Sequence, residues 1–75
     1  MYLLLEDNRP FAVLNNLSNL DTAVKEEFNL ESIEKVGFVT PDFGETKELV
    51  VLAISEDDPE EEIRYDLEIT RIVSY

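Results

Sequence analysis

Seventy-five residues with a formal net charge of −12, no cysteine and no histidine bound the chemistry before any pattern is read. The length fits one domain, 1–75, which on folding buries only about 60% of the surface its unfolded chain exposes. Disulfides, thiolate or imidazole metal sites and histidine-based catalytic triads are excluded, and the charge opposes direct contact with nucleic acid or anionic membranes, both polyanions.

In chain order, Tyr2–Leu5 and Phe11–Leu14 are short apolar runs on either side of the polar stretch EDNRP, which predicts a β-hairpin. Pro10 fits the start of the second strand, where no ladder donor is needed. In NNLSNLDTAVKEEFNL, Leu17, Leu20, Val24 and Phe28 recur at spacings that form one apolar helix stripe. Ser18 and Asp21 are good N-cap residues, and the helix is expected to end near Asn29. Glu26 and Glu27 oppose the dipole at its C-terminal end.

ESIEKVGFVT fits two readings. Leu30, Ile33 and Val36 extend the helix with Gly37 as its stop, or Ile33–Val39 is a strand. The β-branched and aromatic residues favour the strand. TPDFGETK is a turn. Leu49–Ile54 is an unbroken apolar run, which predicts a strand buried on both faces. In IRYDLEITRIVSY, Ile63, Tyr65, Leu67 and Ile69 alternate with Arg64, Asp66, Glu68 and Thr70, so one face is buried and one is wet. The phase slips at Thr70-Arg71, which predicts a bulge or the end of the ladder.

The sum is an α+β fold of order ββαβββ: a small antiparallel sheet of four to five strands with one helix. One short helix covers one sheet face. Because three of the runs carry apolar residues of both parities, the second face needs cover as well, from curling of the sheet, a twin or a partner. Phe11, Phe28, Phe38, Tyr65 and Tyr75 read as core and flank. Phe43 lies in a turn, where it either folds back on the sheet or anchors a partner.

MYLLLED lacks the basic start of a signal peptide, and no run approaches the roughly 20 apolar residues of a membrane span, so a cytoplasmic protein is expected. Asn16-Leu17-Ser18 matches the glycosylation triplet, read as chance in that setting. Gly37 and Gly44 are the only glycines, too few for a phosphate-binding loop. EDDPEEE lacks the ligand spacing and the glycine of a calcium loop. Paired carboxylates are the one catalytic option left, and they require a concave pocket. The expectation is therefore no enzyme, no catalytic residue, no metal and no cofactor.

The acid surplus peaks at Glu56, Asp57, Asp58, Glu60, Glu61 and Glu62 and continues into Asp66 and Glu68. The six Lys and Arg residues are scattered singly, which does not make a nucleic-acid patch. Glu56, Asp58, Glu60, Glu62, Asp66 and Glu68 share even parity, but Pro59 interrupts a continuous strand. Charges in a hairpin loop ordinarily serve solubility, and near a strand edge they discourage aggregation. The alternative is that these eight acids, with Phe43, meet a protein partner with a basic surface. Small size, acidity and the lack of catalytic residues resemble inhibitor proteins of phages and mobile elements, including nucleic-acid (DNA) mimics and anti-CRISPR proteins. That resemblance lies in composition and covers no motif. It implies a small non-enzymatic binding protein acting by protein–protein contact. The rival is a structural or accessory homo-oligomeric domain, such as a homodimer, whose acidity serves solubility alone.

Overall fold

Asp7 and Asn8 both adopt positive φ, 50° and 65°, the conformation of a two-residue type I′ turn that Asn and Asp tolerate. This computed structural model describes residues 1–73, and its first hairpin pairs β1 (Tyr2–Glu6) with β2 (Arg9–Leu14). The turn is therefore shorter than EDNRP predicts, and Pro10 lies one position inside β2. β2 is an edge strand, where a missing N–H is tolerated, and the register slips between Leu4 and Leu5, near Pro10.

Asn16 starts the helical segment. Its side chain accepts the Ser18 N–H at 3.0 Å and caps a single 3-10 turn, Leu17–Asn19, which runs into α1 (Leu20–Phe28). Neither Ser18 nor Asp21 caps a helix, because the chain turns before either of them. Asp21 lies in the first turn of α1, where a negative charge suits the dipole, and its carboxylate pairs with Lys35 at 3.1 Å. Asn29 ends α1 in the left-handed region (φ 55°), and its N–H bonds the Lys25 carbonyl.

The ambiguous segment is a strand, β3 (Leu30–Val36), which begins directly after Asn29 and stops where Gly37 takes φ 61°. It sits earlier than Ile33–Val39 because that left-handed residue breaks the ladder. β4 (Thr46–Ser55) and β5 (Glu62–Arg71) form a long hairpin in which Leu49, Val51 and Ala53 face Leu67, Tyr65 and Ile63. β5 ends at Arg71, where the phase slip falls.

Among the described residues the four strand ladders are antiparallel, in the order β2-β1-β5-β4-β3, and a single isolated parallel bridge joins Phe43 to Arg71. The predicted α+β architecture is thus present, and its single helix lies on one sheet face. That face carries the core: Leu4, Ile69, Leu67, Leu49 and Val51 from the sheet, against Leu20 and Val24 of α1, each 2% exposed or less. Phe28 stacks on Tyr65 (centroids 4.4 Å apart) and meets Phe11 edge-on. Tyr75 lies outside the described residues.

Two expectations are corrected here. The sheet does not close: β2 and β3 are free edges. Leu49–Ile54 is buried on one face only, with Val50, Leu52 and Ile54 half-buried on the other, because the single helix reaches only one side. Among the described residues, no helix is long and apolar enough to cross a membrane.

Candidate functional site: the open sheet face

Residues directly opposite in an antiparallel ladder share a face, so the register lays out the side without a helix. Val13 faces Leu3, Leu3 faces Thr70, and Thr70 faces Thr46. One row along, Leu5 faces Glu68, which faces Glu48. Then come Asp66–Val50–Val36, Arg64–Leu52–Glu34 and Glu62–Ile54–Ser32. Acidic residues Glu48, Glu68, Asp66 and Glu62, interrupted by Arg64 between the last two, therefore run along the middle of the face. Apolar side chains flank them: Leu3, Leu5 and Val13 on one side, Val50, Leu52, Ile54 and Val36 on the other. Val13 is 58% exposed and Val36 47%.

Local pairing leaves much of this acid uncompensated. Arg64 holds Asp66 at 2.9 Å, with both side chains largely exposed. Glu68 accepts the Asn8 N–H at 3.2 Å. Glu48 and Glu68 stand opposite one another, and neither forms an ion pair among the described residues. Like charges directly across a ladder are destabilising. Nearby, the Thr46 and Thr70 hydroxyls pair at 2.7 Å.

The other predicted acids divide by position. Glu62 opens β5. Glu56, Asp57, Asp58, Glu60 and Glu61 lie exposed in the β4–β5 connection, beyond the end of the face. Asn29 holds that connection at its base: its carbonyl accepts the Glu56 N–H at 3.2 Å, and its side-chain amide reaches Asp57 at 3.4 Å. A turn closes it, with the Glu61 N–H on the Asp58 carbonyl at 3.4 Å. Pro59 falls inside this loop, so no continuous acidic strand runs from Glu56 to Glu68.

Phe43 is separate from the acids. It is 63% exposed, yet one ring face carries the Arg71 guanidinium, 3.9 Å from the centroid. Arg71 also approaches the Tyr2 ring, at 5.6 Å, and its Nε is buried with no hydrogen-bond partner among the described residues. Backbone bonds from Gly44 N–H to the Arg71 carbonyl and from Arg71 N–H to the Glu45 carbonyl tie the turn to β5. Phe43 thus folds back on the end of β5, the central strand, while much of its ring stays exposed.

A cleft of about 470 Å³ near the β1–β2 turn is lined by Glu6, Asp7, Arg9, Pro10, Phe11 and Glu27. Among the described residues, no group of three or more acidic side chains is placed to hold a metal ion. Sequence reasoning placed Asp66 and Glu68 outward from their alternation alone. It did not assign Glu48 or Glu34 to the same face, because their neighbours depend on strand register, which no local pattern encodes. No protein-family model matches the chain, and no curated protein or solved structure matches it either.

Proposed function

We propose that this protein is a small non-enzymatic binding protein that docks its open sheet face onto a basic surface of another protein, as an inhibitor or nucleic-acid mimic does. One observation carries the reading: Glu48 and Glu68 face each other, with no ion pair to either among the described residues, on an otherwise half-apolar surface. Lys or Arg side chains from a partner would relieve that repulsion while Leu5, Val50 and Leu52 supply apolar contact. Steering and affinity then come from different residues, since charge complementarity mainly sets on-rate and specificity. The exposed loop 56–61 extends the negative field beyond the face. Same-face acids on one strand lie about 6.8 Å apart, against one charge per roughly 3.4 Å on a DNA strand, so the mimicry is of sign and line rather than of spacing.

The test compares immobilised wild-type protein with the variant Glu48→Gln/Asp66→Asn/Glu68→Gln. Retained proteins are identified, then purified and titrated against both forms at several salt concentrations. The expected result is a basic protein whose affinity falls with salt and falls at least tenfold in the variant. Equal binding to both forms, or no basic protein retained at low salt, would refute the reading. The second reading, an accessory homo-oligomer, is supported by the half-buried apolar residues of the same face. A face-to-face twin, however, would press two acidic bands together.

A further inference from the structure

A separate feature, independent of the open face, points to a second copy of this chain. β3 is a free sheet edge of seven residues, Leu30–Val36, most of them exposed. An unprotected edge offers a row of unpaired N–H and C=O groups that templates another strand. The opposite edge, β2, carries Pro10 and a register slip, both of which blunt pairing. β3 contains no proline, and its own register slip, between Leu30 and Ser32, leaves Ser32–Val36 as a regular edge.

The sequence of β3, LESIEKV, is complementary to itself when run antiparallel about Ile33. In that register Ile33 meets its twin, Ser32 meets the twin's Glu34 and Glu31 meets the twin's Lys35, while the register slip between Leu30 and Ser32 turns Leu30, 3% exposed, into the core and out of this ladder. Ile33 opposes its apolar twin, and the Glu31–Lys35 contact occurs twice by symmetry, shared with the bond that Lys35 makes to Asp21 of its own chain at 3.1 Å. A twofold axis normal to the sheet keeps like faces together only if paired residues share parity, so the centre must fall on a residue. Moving it to Glu34 or Lys35 sets like charges directly opposite, which is unfavourable. Centring on Ser32 pairs Glu31 with Ile33. Ile33 is the one centre of these that sets neither like charges nor a charge and an apolar side chain opposite one another.

We infer that two copies join through their β3 edges, antiparallel and centred on Ile33, making one continuous ten-stranded sheet. The helices then lie on one side and both open faces on the other, leaving the acidic band accessible. Such an edge contact falls well short of the roughly 1,600 Å² of a standard stable interface, so the dimer is weak and concentration-dependent. Because both chains carry strong negative charge, added salt screens their mutual repulsion and favours association. This is opposite in sign to the salt effect on a basic partner.

Sedimentation equilibrium over a wide concentration range, at low and high salt, tests the inference with four proteins: wild type, Glu31→Lys, Lys35→Glu and the double exchange. The expected result is a salt-favoured wild-type dimer, weakened about tenfold by either single exchange and restored by the double, since two symmetric cross-strand pairs change sign together. Glu31→Lys is the sharper single variant, because it lowers the net negative charge and yet is expected to weaken association. Circular dichroism confirms that each variant is folded, and in wild type the β3 amides exchange more slowly as concentration rises. A monomer at every concentration would overturn the inference. So would a dimer indifferent to the single exchanges, or one the double exchange fails to restore, since the contact would then lie elsewhere.

Discussion

Replacing Glu48 by lysine is expected to stabilise the fold while weakening the binding proposed for it. In the native ladder Glu48 stands opposite Glu68, with Cβ atoms about 4.5–5.5 Å apart by ladder geometry. A like-charge cross-strand pair costs, and an opposite-charge pair contributes, roughly 0.2–1 kcal/mol. Glu48→Lys exchanges one for the other, so the expected gain is about 1 kcal/mol, or about 4–8 °C in Tm for a domain of this size. Glu48→Gln removes only the repulsion and is expected to give about half that gain. Urea unfolding followed by circular dichroism measures both. Glu34→Lys is the control: it makes the same change in net charge, but across the ladder it meets Leu52. In about 1 M salt, where screening acts over roughly 3 Å, the advantage of Glu48→Lys over wild type is expected to shrink. If Glu34→Lys stabilises as much, or if the advantage persists unchanged in salt, the pair is not its source and the strain assigned to the open face is absent.

Leu67, 2% exposed and opposite Leu49 at the centre of the sheet, is expected to lose about 2–5 kcal/mol on truncation to alanine. That is a large share of the roughly 4–11 kcal/mol expected for this length, and urea unfolding measures it as a lower midpoint with a similar slope. Arg71→Lys keeps the charge but loses the planar stack on Phe43, so a destabilisation of about 0.5–1.5 kcal/mol is expected. NMR reads this as faster amide exchange in residues 41–45 and a shift of the Phe43 ring protons, and unchanged ring resonances would refute the stack.

The parts of the fold legible in the sequence were those written in local periodicity. The alternation of Ile63, Tyr65, Leu67 and Ile69 placed β5 and its two faces, and the stripe through Leu20, Val24 and Phe28 placed α1. Boundaries were lost where backbone conformation decided them. Gly37 ended β3 early by taking positive φ, and Asn16 took the capping role ahead of Ser18 and Asp21. Leu49–Ile54 looked buried on both faces because apolar composition reports a strand's preference and not the area of helix available to cover it. Of the candidate site, Asp66 and Glu68 were legible through parity. Glu48 was not, because its meeting with Glu68 is a fact of register between strands.

The strand order also bears on how the chain reaches its native state. β5 is the last strand in the chain and the middle one in the sheet. Until it docks, the hairpin of β1 and β2 and the β3–β4 pair share no ladder, and Leu4, Leu49 and Val51 lack the strand that lies between them. The β1–β5 ladder joins residues far apart in sequence, Leu4 with Ile69 among them, so its loop-closure entropy must be met late. Folding should therefore behave as a keystone process, in which two preformed pieces, the β1–β2 hairpin and the β3–β4–β5 meander, wait on closure of the β1–β5 ladder. Substitutions inside the preformed pieces, in the first hairpin or at Leu67 opposite Leu49, would then slow folding itself, while changes confined to the β1–β5 ladder would mainly speed unfolding.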